Sequence, residues 1–185
     1  MATKFEMSDL GRLTYYLGIE VHQHKDGITL TQERYASKIL EEAGMNECNA
    51  SQVPMDQSVR LSKNTKECCI NETDYRRSIG CLRYLLHTRP DLSYNVGILS
   101  RYMQEPKESH GTALKQVLRY LQGTLSHGHV FKGSNGAGLV GYSDSSHNVD
   151  EDDGKSIIGH VFYFNECPIT WCSKKQETIA LYIIM

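Results

Sequence analysis

No stretch of the 185-residue chain approaches the roughly 20 consecutive apolar residues that cross a bilayer, so no membrane partner is expected. The N-terminal residues Met1 to Asp9 lack the apolar core of a secretory signal. An intracellular location, cytoplasmic or nuclear, is therefore the expectation. The six cysteines (Cys48, Cys68, Cys69, Cys81, Cys167, Cys172) form no C-x-x-C pair, and only Cys167 and Cys172 come near the spacing of zinc ligands. Free thiols are expected, neither metal-bound nor paired as disulfides. Nothing in the pattern calls for a small-molecule substrate.

What is present is the composition of a soluble globular protein, 39% hydrophobic and 23% charged. The net charge of −2 conceals a split. Between Thr73 and Gly123 there are eight Lys/Arg against four Asp/Glu, and from Thr124 onward four Lys against seven acids. The middle of the chain is thus suited to face a polyanion, although charge on helices is commonly just a solvated face.

Periodicity divides the chain. Leu13, Tyr15, Leu17 and Ile19 alternate with polar or small residues and lead into Val21. Lys25-Asp26-Gly27 reads as a turn, and Ile28 and Leu30 resume the alternation, which together predict a β-hairpin. A helix is predicted from Thr31-Gln32-Glu33, with Tyr35, Ile39 and Ala43 on one face and Gly44 as its C-cap. Residues 45–72 read as a linker draped over a neighbouring surface. Three helices follow, with inward stripes Tyr75/Ile79/Leu82/Leu86, Leu92/Val96/Leu99/Met103 and Leu114/Val117/Leu118/Leu121. Pro90 and Pro106 open the second and third, and Gly123 closes the last. Beyond the glycines at 133, 136 and 138, three strands are predicted: Gly138 to Asp144, Ile157 to Phe164 and Pro168 to Ser173, the last two joined by a tight turn at Asn165-Glu166. A final apolar piece runs from Thr178 to Met185, and its apolar end suggests a truncated element.

In order, these segments resemble the polymerase-to-ribonuclease H region of copia-type retrotransposon polyproteins. The matching blocks are Met7-Ser8-Asp9-Leu10-Gly11, Tyr16-Leu17-Gly18-Ile19-Glu20-Val21 and Leu30-Thr31-Gln32-Glu33-Arg34-Tyr35-Ala36. Thr88-Arg89-Pro90-Asp91, Ser100-Arg101-Tyr102-Met103 and Leu118-Arg119-Tyr120-Leu121-Gln122-Gly123-Thr124 continue the series. Gly141-Tyr142-Ser143-Asp144-Ser145 and Trp171-Cys172-Ser173-Lys174-Lys175-Gln176 complete it. The resemblance implies an α+β fold, with a β-hairpin and helical thumb and connection region followed by a truncated, three-stranded ribonuclease H-like sheet. It divides the chain into the end of a reverse transcriptase palm with the start of the thumb (1–53), a helical connection region (54–127) and a truncated ribonuclease H-like domain (128–185).

The resemblance also implies roles. Leu17, Gly18 and Glu20 would lie near a primer strand. Arg77, Arg83, Arg89, Arg101, Lys115 and Arg119 are the cations available for the phosphates of an RNA–DNA or DNA duplex, which they would hold without reading sequence. For each, a surface charge or structural ion pair is the competing reading. Asp144 matches the first metal ligand of the ribonuclease H part, which in the intact family works with Mg2+ or Mn2+.

The chain contains no Tyr-X-Asp-Asp, and its one Asp-Asp pair, Asp152-Asp153, lies in the acidic run Asp150 to Asp153 far downstream of the hairpin. That run is expected to stay solvated and apart from Asp144. Ser146-His147-Asn148 replaces the family's usual aromatic-small-Gly run, and His147 is expected to be an exposed loop residue. The first further acid expected after Ala180-Leu181 falls on Met185. The expectation is therefore a fragment with no cofactor of its own, whose Asp144 could hold metal only if another chain supplied carboxylates and covered the sheet. A retained binding module and a nuclease completed by a second chain remain the alternatives.

Overall fold

A computed structural model of the protein describes residues 11–56, 58–133, 138–146 and 150–178. The sequence readings at residues 7–10, at Gly136, at His147 and Asn148, and over 179–185 lie outside the described residues. Seven strands and four helices are described: β1 (Tyr15–Tyr16), β2 (Ile19–His24), β3 (Gly27–Thr31), α1 (Glu33–Glu42), α2 (Glu72–Leu85), α3 (Ser93–Leu99), α4 (Glu108–Gly123), β4 (Gly128–Lys132), β5 (Leu139–Ser145), β6 (Ile157–Phe164) and β7 (Cys167–Lys175). Short 3-10 turns, Pro90–Leu92 and Ser100–Tyr102, flank α3. The architecture is α+β: two antiparallel sheets, ordered β1-β2-β3-β4 and β5-β6-β7, against a helical layer.

The predicted first strand does not run unbroken. Leu17 (φ 47°) and Gly18 (φ 81°) both take left-handed backbone, which makes the tight turn between β1 and β2. The Lys25-Asp26 turn then joins β2 to β3, with His24 opposite Gly27. β4, which is not among the predicted strands, adds to β3 with Leu30 opposite His129. By its hydrogen bonds β4 therefore belongs with the N-terminal hairpins.

Helix boundaries follow local chemistry. Asn71 caps α2, its Oδ1 accepting from the N–H groups of Thr73 (2.9 Å) and Asp74 (3.2 Å). Gly44 turns left-handed just past α1, as its position predicted. The inward face of α1 is Ala36, Ile39 and Leu40, not Ala43, which is exposed. In α2 the last inward residue is Leu85, because the helix ends there and Leu86 is the C-cap. The predicted second helix is split, since Pro90 favours a tight 3-10 start and the chain tightens again at Ser100.

The core lies between α1, α2, α3 and α4. Ile79, Leu82, Leu92, Val96, Leu99, Val117 and Leu121 are fully buried there. The linker is tied to this layer: Ser51 N–H donates to Arg119 O (3.1 Å), and the Tyr102 hydroxyl to Leu61 O (2.8 Å). The second sheet docks through β7, where Trp171 stacks against His129 of β4 at 5.3 Å and the Cys167 Sγ accepts from Lys132 N–H (3.1 Å). Among the described residues no helix is long and apolar enough to cross a membrane.

Candidate nucleic-acid interface and carboxylate site

The β1–β2 turn stands on α2. The Tyr84 hydroxyl donates to Leu17 O, and the Tyr84 ring lies beneath Gly18. Tyr84 is itself fixed by edge-on contact with Tyr35 (5.2 Å) and His87 (5.2 Å). The turn thus presents Tyr15, Tyr16 and Leu17 to solvent from a braced position. Leu17 in left-handed backbone carries strain of about 1–2 kcal/mol, of the kind stored where a loop must present a surface. Glu20 is positioned differently. Its Oε1 accepts from Arg34 N–H (3.0 Å) in the first turn of α1, where the helix dipole favours a carboxylate.

The six candidate cations separate by environment. Arg89 is buried and spent. Its Nε and Nη2 donate to the Asp91 carboxylate (2.9 and 2.7 Å), and Nη1 and Nη2 donate to Thr124 O (2.9 Å) and Oγ1 (2.8 Å). This corrects the reading of Arg89 as a phosphate contact: it ties α4's end to the turn before α3. Arg101 is likewise occupied, donating from Nη1 to Asp150 Oδ2 at 2.8 Å. Arg119 is exposed but donates from Nε to Asn49 O (2.7 Å), which holds the linker. Arg77 and Lys115 are exposed and line one groove between α1, α2 and α4, Arg77 within 3.7 Å of Asp74. Arg83 is exposed in a second groove, between α2, α3 and β7, with His87 and Trp171.

The acidic run is not the detached, solvated loop its composition predicts. Asp150 is buried, and its Oδ2 accepts from Arg101 and from Lys175 Nζ (2.6 Å), while Oδ1 accepts from Asp152 N–H (3.0 Å). Burial pushes its carboxyl up, but the hydrogen bonds from Lys175 and Asp152 and the charges of Lys175 and Arg101 outweigh that and hold it below the usual range. Asp152 Oδ1 accepts from Ser62 Oγ (2.5 Å) and Lys63 N–H (2.9 Å), Asp153 meets Lys175 Nζ at 2.8 Å and Glu151 meets Arg60 at 3.6 Å. Four acids of one sign thus stay together because cations from the linker, from the turn after α3 and from β7 converge on them. Sequence spacing carried no sign of this, since Arg101 and Lys175 are remote in the chain.

Asp144 sits on β5 opposite Gly159, fully on the exposed side, with Oδ1 accepting from Ser145 N–H at 2.8 Å. Paired divalent cations need several converging carboxylates. Among the described residues no group of three or more His, Cys, Asp or Glu gathers to hold a metal, so Asp144 alone does not fit that chemistry.

A family model for reverse transcriptase (RNA-dependent DNA polymerase) matches residues 1–57. The chain is 39% identical, over 97% of its length, to the retrovirus-related Pol polyprotein from transposon RE1 of Arabidopsis thaliana. It is 33% identical, over 98% of its length, to that from transposon TNT 1-94 of Nicotiana tabacum. The chain belongs to the copia-type retrotransposon Pol family. It spans 12% and 14% of the length of those two polyproteins. It is also 33% identical to an uncharacterized mitochondrial protein of Arabidopsis thaliana, of which it covers 75%, and itself by 97%. No solved structure matches it significantly.

Within this Pol family frame, Leu17, Gly18 and Glu20 fall inside the stretch that matches the reverse transcriptase model. The six cations and Asp144 fall beyond it, within the length shared with the Pol polyproteins. Tyr84, which braces the turn, is the position that sequence reading missed, and Asp150, expected to be solvated, instead clasps the second sheet. A helical stripe assigns Tyr84 no role because it lies off the inward face of α2.

Proposed function

We propose that this chain is the part of a Pol polyprotein that holds a template–primer duplex between polymerase and ribonuclease H centres, and that it is catalytically inactive alone. The observation that carries this reading is the collinear identity to Pol polyproteins over nearly the whole chain, with a braced, exposed turn where that family's primer-proximal hairpin is expected. In this reading α1 begins the thumb, α2 to α4 form the connection that cradles the duplex, and β5 to β7 are the first strands of a ribonuclease H-like sheet. Arg77, Lys115 and Arg83 are the cations available to meet phosphate: all three are exposed, and the one ion pair among them within the described residues is the exposed contact of Arg77 with Asp74 at 3.7 Å. Leu17 and the tyrosines before it meet the primer end through apolar and stacking contact.

Inactivity follows from the chemistry each reaction requires. Nucleotide joining needs metal-binding aspartates of the kind in Tyr-X-Asp-Asp, and the sequence holds no such motif. Hybrid cleavage needs a set of carboxylates, of which Asp144 is one. Incubation of the full chain with an RNA–DNA hybrid in Mg2+ or Mn2+ tests both halves. Retention of the hybrid on the protein at low salt without cleavage is expected. Cleavage abolished by Asp144→Asn would overturn the inactivity, and no retention at low salt would overturn duplex holding.

A further inference from the structure

Cys69 and Lys107, 38 residues apart, pair across an isolated antiparallel bridge. Ile70 N–H donates to Pro106 O (2.9 Å) and Glu108 N–H to Cys68 O (3.2 Å), which fix the two segments side by side. The Lys107 Nζ lies 3.3 Å from Cys69 Sγ and 2.6 Å from Glu105 Oε1, and that same oxygen lies 3.6 Å from Sγ. The Lys107 side chain is only 10% exposed, so its ammonium is held in place, while the Cys69 thiol is open to solvent. Lys107 is also the N-cap of α4, a 16-residue helix whose positive end faces the same corner.

The Lys107 ammonium, 3.3 Å from Sγ, is placed to meet the negative charge that the sulfur carries as it attacks as a nucleophile. Glu105 shares the ammonium at 2.6 Å, and the same oxygen, which accepts from the Cys69 thiol, is placed to take its proton. Cys68 provides the contrast. It is also exposed, one residue earlier, and no ammonium or carboxylate lies against its sulfur among the described residues.

We propose that Cys69 is a peroxide-sensitive modification site, with Lys107 and Glu105 as positioning residues that promote its conversion to a sulfenic acid. The thiol proton passes to the Glu105 carboxylate and the thiolate attacks one oxygen of hydrogen peroxide. The S–O bond forms as the O–O bond breaks, and the leaving hydroxide takes up the proton to give water. Cysteine sulfur is oxidised and peroxide is reduced. A thiol reductant reverses the change in two steps: the first thiol displaces water to give a mixed disulfide, and the second releases Cys69 as the thiol. Because Cys69 forms the bridge that fixes the linker to the start of α4, oxidation acts at the joint between linker and helical layer.

The test treats the full chain with a few equivalents of hydrogen peroxide in the presence of dimedone, and reads labelling at Cys68 and Cys69 separately from peptide fragment masses. Cys69 is expected to label about tenfold faster than Cys68, in keeping with the reactivity an adjacent ammonium confers. Lys107→Met is expected to bring Cys69 down to the Cys68 rate, while Lys107→Arg, which keeps the charge, preserves the preference. Far-ultraviolet circular dichroism of both variants confirms that the fold is intact. Equal labelling of the two cysteines in the unaltered chain overturns the proposal, and so does a preference that survives Lys107→Met in the folded variant.

Discussion

The helical layer and the second sheet are built on opposite terms. In α2, α3 and α4 the apolar stripes close on one another, and residues such as Ile79, Leu82 and Val117 have no exposure left. In β5 every residue is exposed, and Leu139, Tyr142, Phe162 and Phe164 remain open on β5 and β6. The layer is held by area removed from water, at about 25 cal/mol per Å2. The sheet is held by its own ladder and by a few ties: the Asp150 clasp, the stack of Trp171 on His129, and the hydrogen bond to Cys167. The contrast teaches that one part sets stability while the other depends on being docked.

The largest expected effect breaks the layer. Leu82→Ala removes a fully buried side chain and is expected to cost about 2–5 kcal/mol, read as a lower urea midpoint in circular dichroism at 222 nm. Tyr142→Ala, on the exposed strand, is expected to stay within about 0.5 kcal/mol. Similar losses from the two would erase the distinction.

Arg89→Met comes next, at about 3 kcal/mol, because it strips the buried cation from Asp91 and removes both hydrogen bonds to Thr124. An equivalent change at exposed Arg77 is expected to leave the urea midpoint nearly unmoved.

Asp150→Asn is expected to cost about 2 kcal/mol, by leaving Arg101 and Lys175 without their shared charge. The chain holds a single tryptophan, Trp171 on β7, so its fluorescence follows the sheet while circular dichroism follows the helices. The variant is expected to advance the fluorescence transition and leave the helical one in place. The Asp150 carboxyl is depressed in the folded chain, so its contribution is complete above the unfolded value of about 3.9 and fades as pH falls below it. The wild-type fluorescence midpoint is therefore expected to drop below about pH 4 more steeply than that of Asp150→Asn.

The smallest effect comes from two histidines, His110 on α4 and His129 on β4. Burial pushes His110 and His129 down, so the unfolded chain binds protons that the folded chain refuses. Stability is expected to decline as pH falls from about 6.5, the ordinary histidine value, in urea titrations with either probe.

Much of this was legible from residue pattern alone. The helical stripes, the Gly44 cap, the Asn165-Glu166 turn and the three strands from Leu139 follow from local periodicity and turn chemistry. What escaped was set by distance in the chain. β4 has little pattern of its own and is a strand because β3 offers an edge. Asp150 looks like one of four solvated acids until Arg101 and Lys175 meet it. Arg89 looks like any surface cation, yet the end of α4 folds back to supply Thr124. The break at Leu17-Gly18 was readable in part: the glycine is a turn signal, but the leucine before it favours extended chain, and only the brace from Tyr84 shows why the turn is held.

The two regions also divide the proposed function, with the available cations on the helices and the lone Asp144 on the sheet. Binding of the full chain to an RNA–DNA hybrid, followed across a range of salt concentrations, tests this directly for the unaltered protein, for Arg77→Gln combined with Lys115→Gln, and for Lys174→Gln on the sheet. The helical double variant is expected to lower the slope of log affinity against log salt by about 2, one for each phosphate that is no longer neutralised, while Lys174→Gln leaves it unchanged. An unchanged slope in the double variant, or a reduced slope confined to Lys174→Gln, would contradict the assignment of duplex holding to the helical layer.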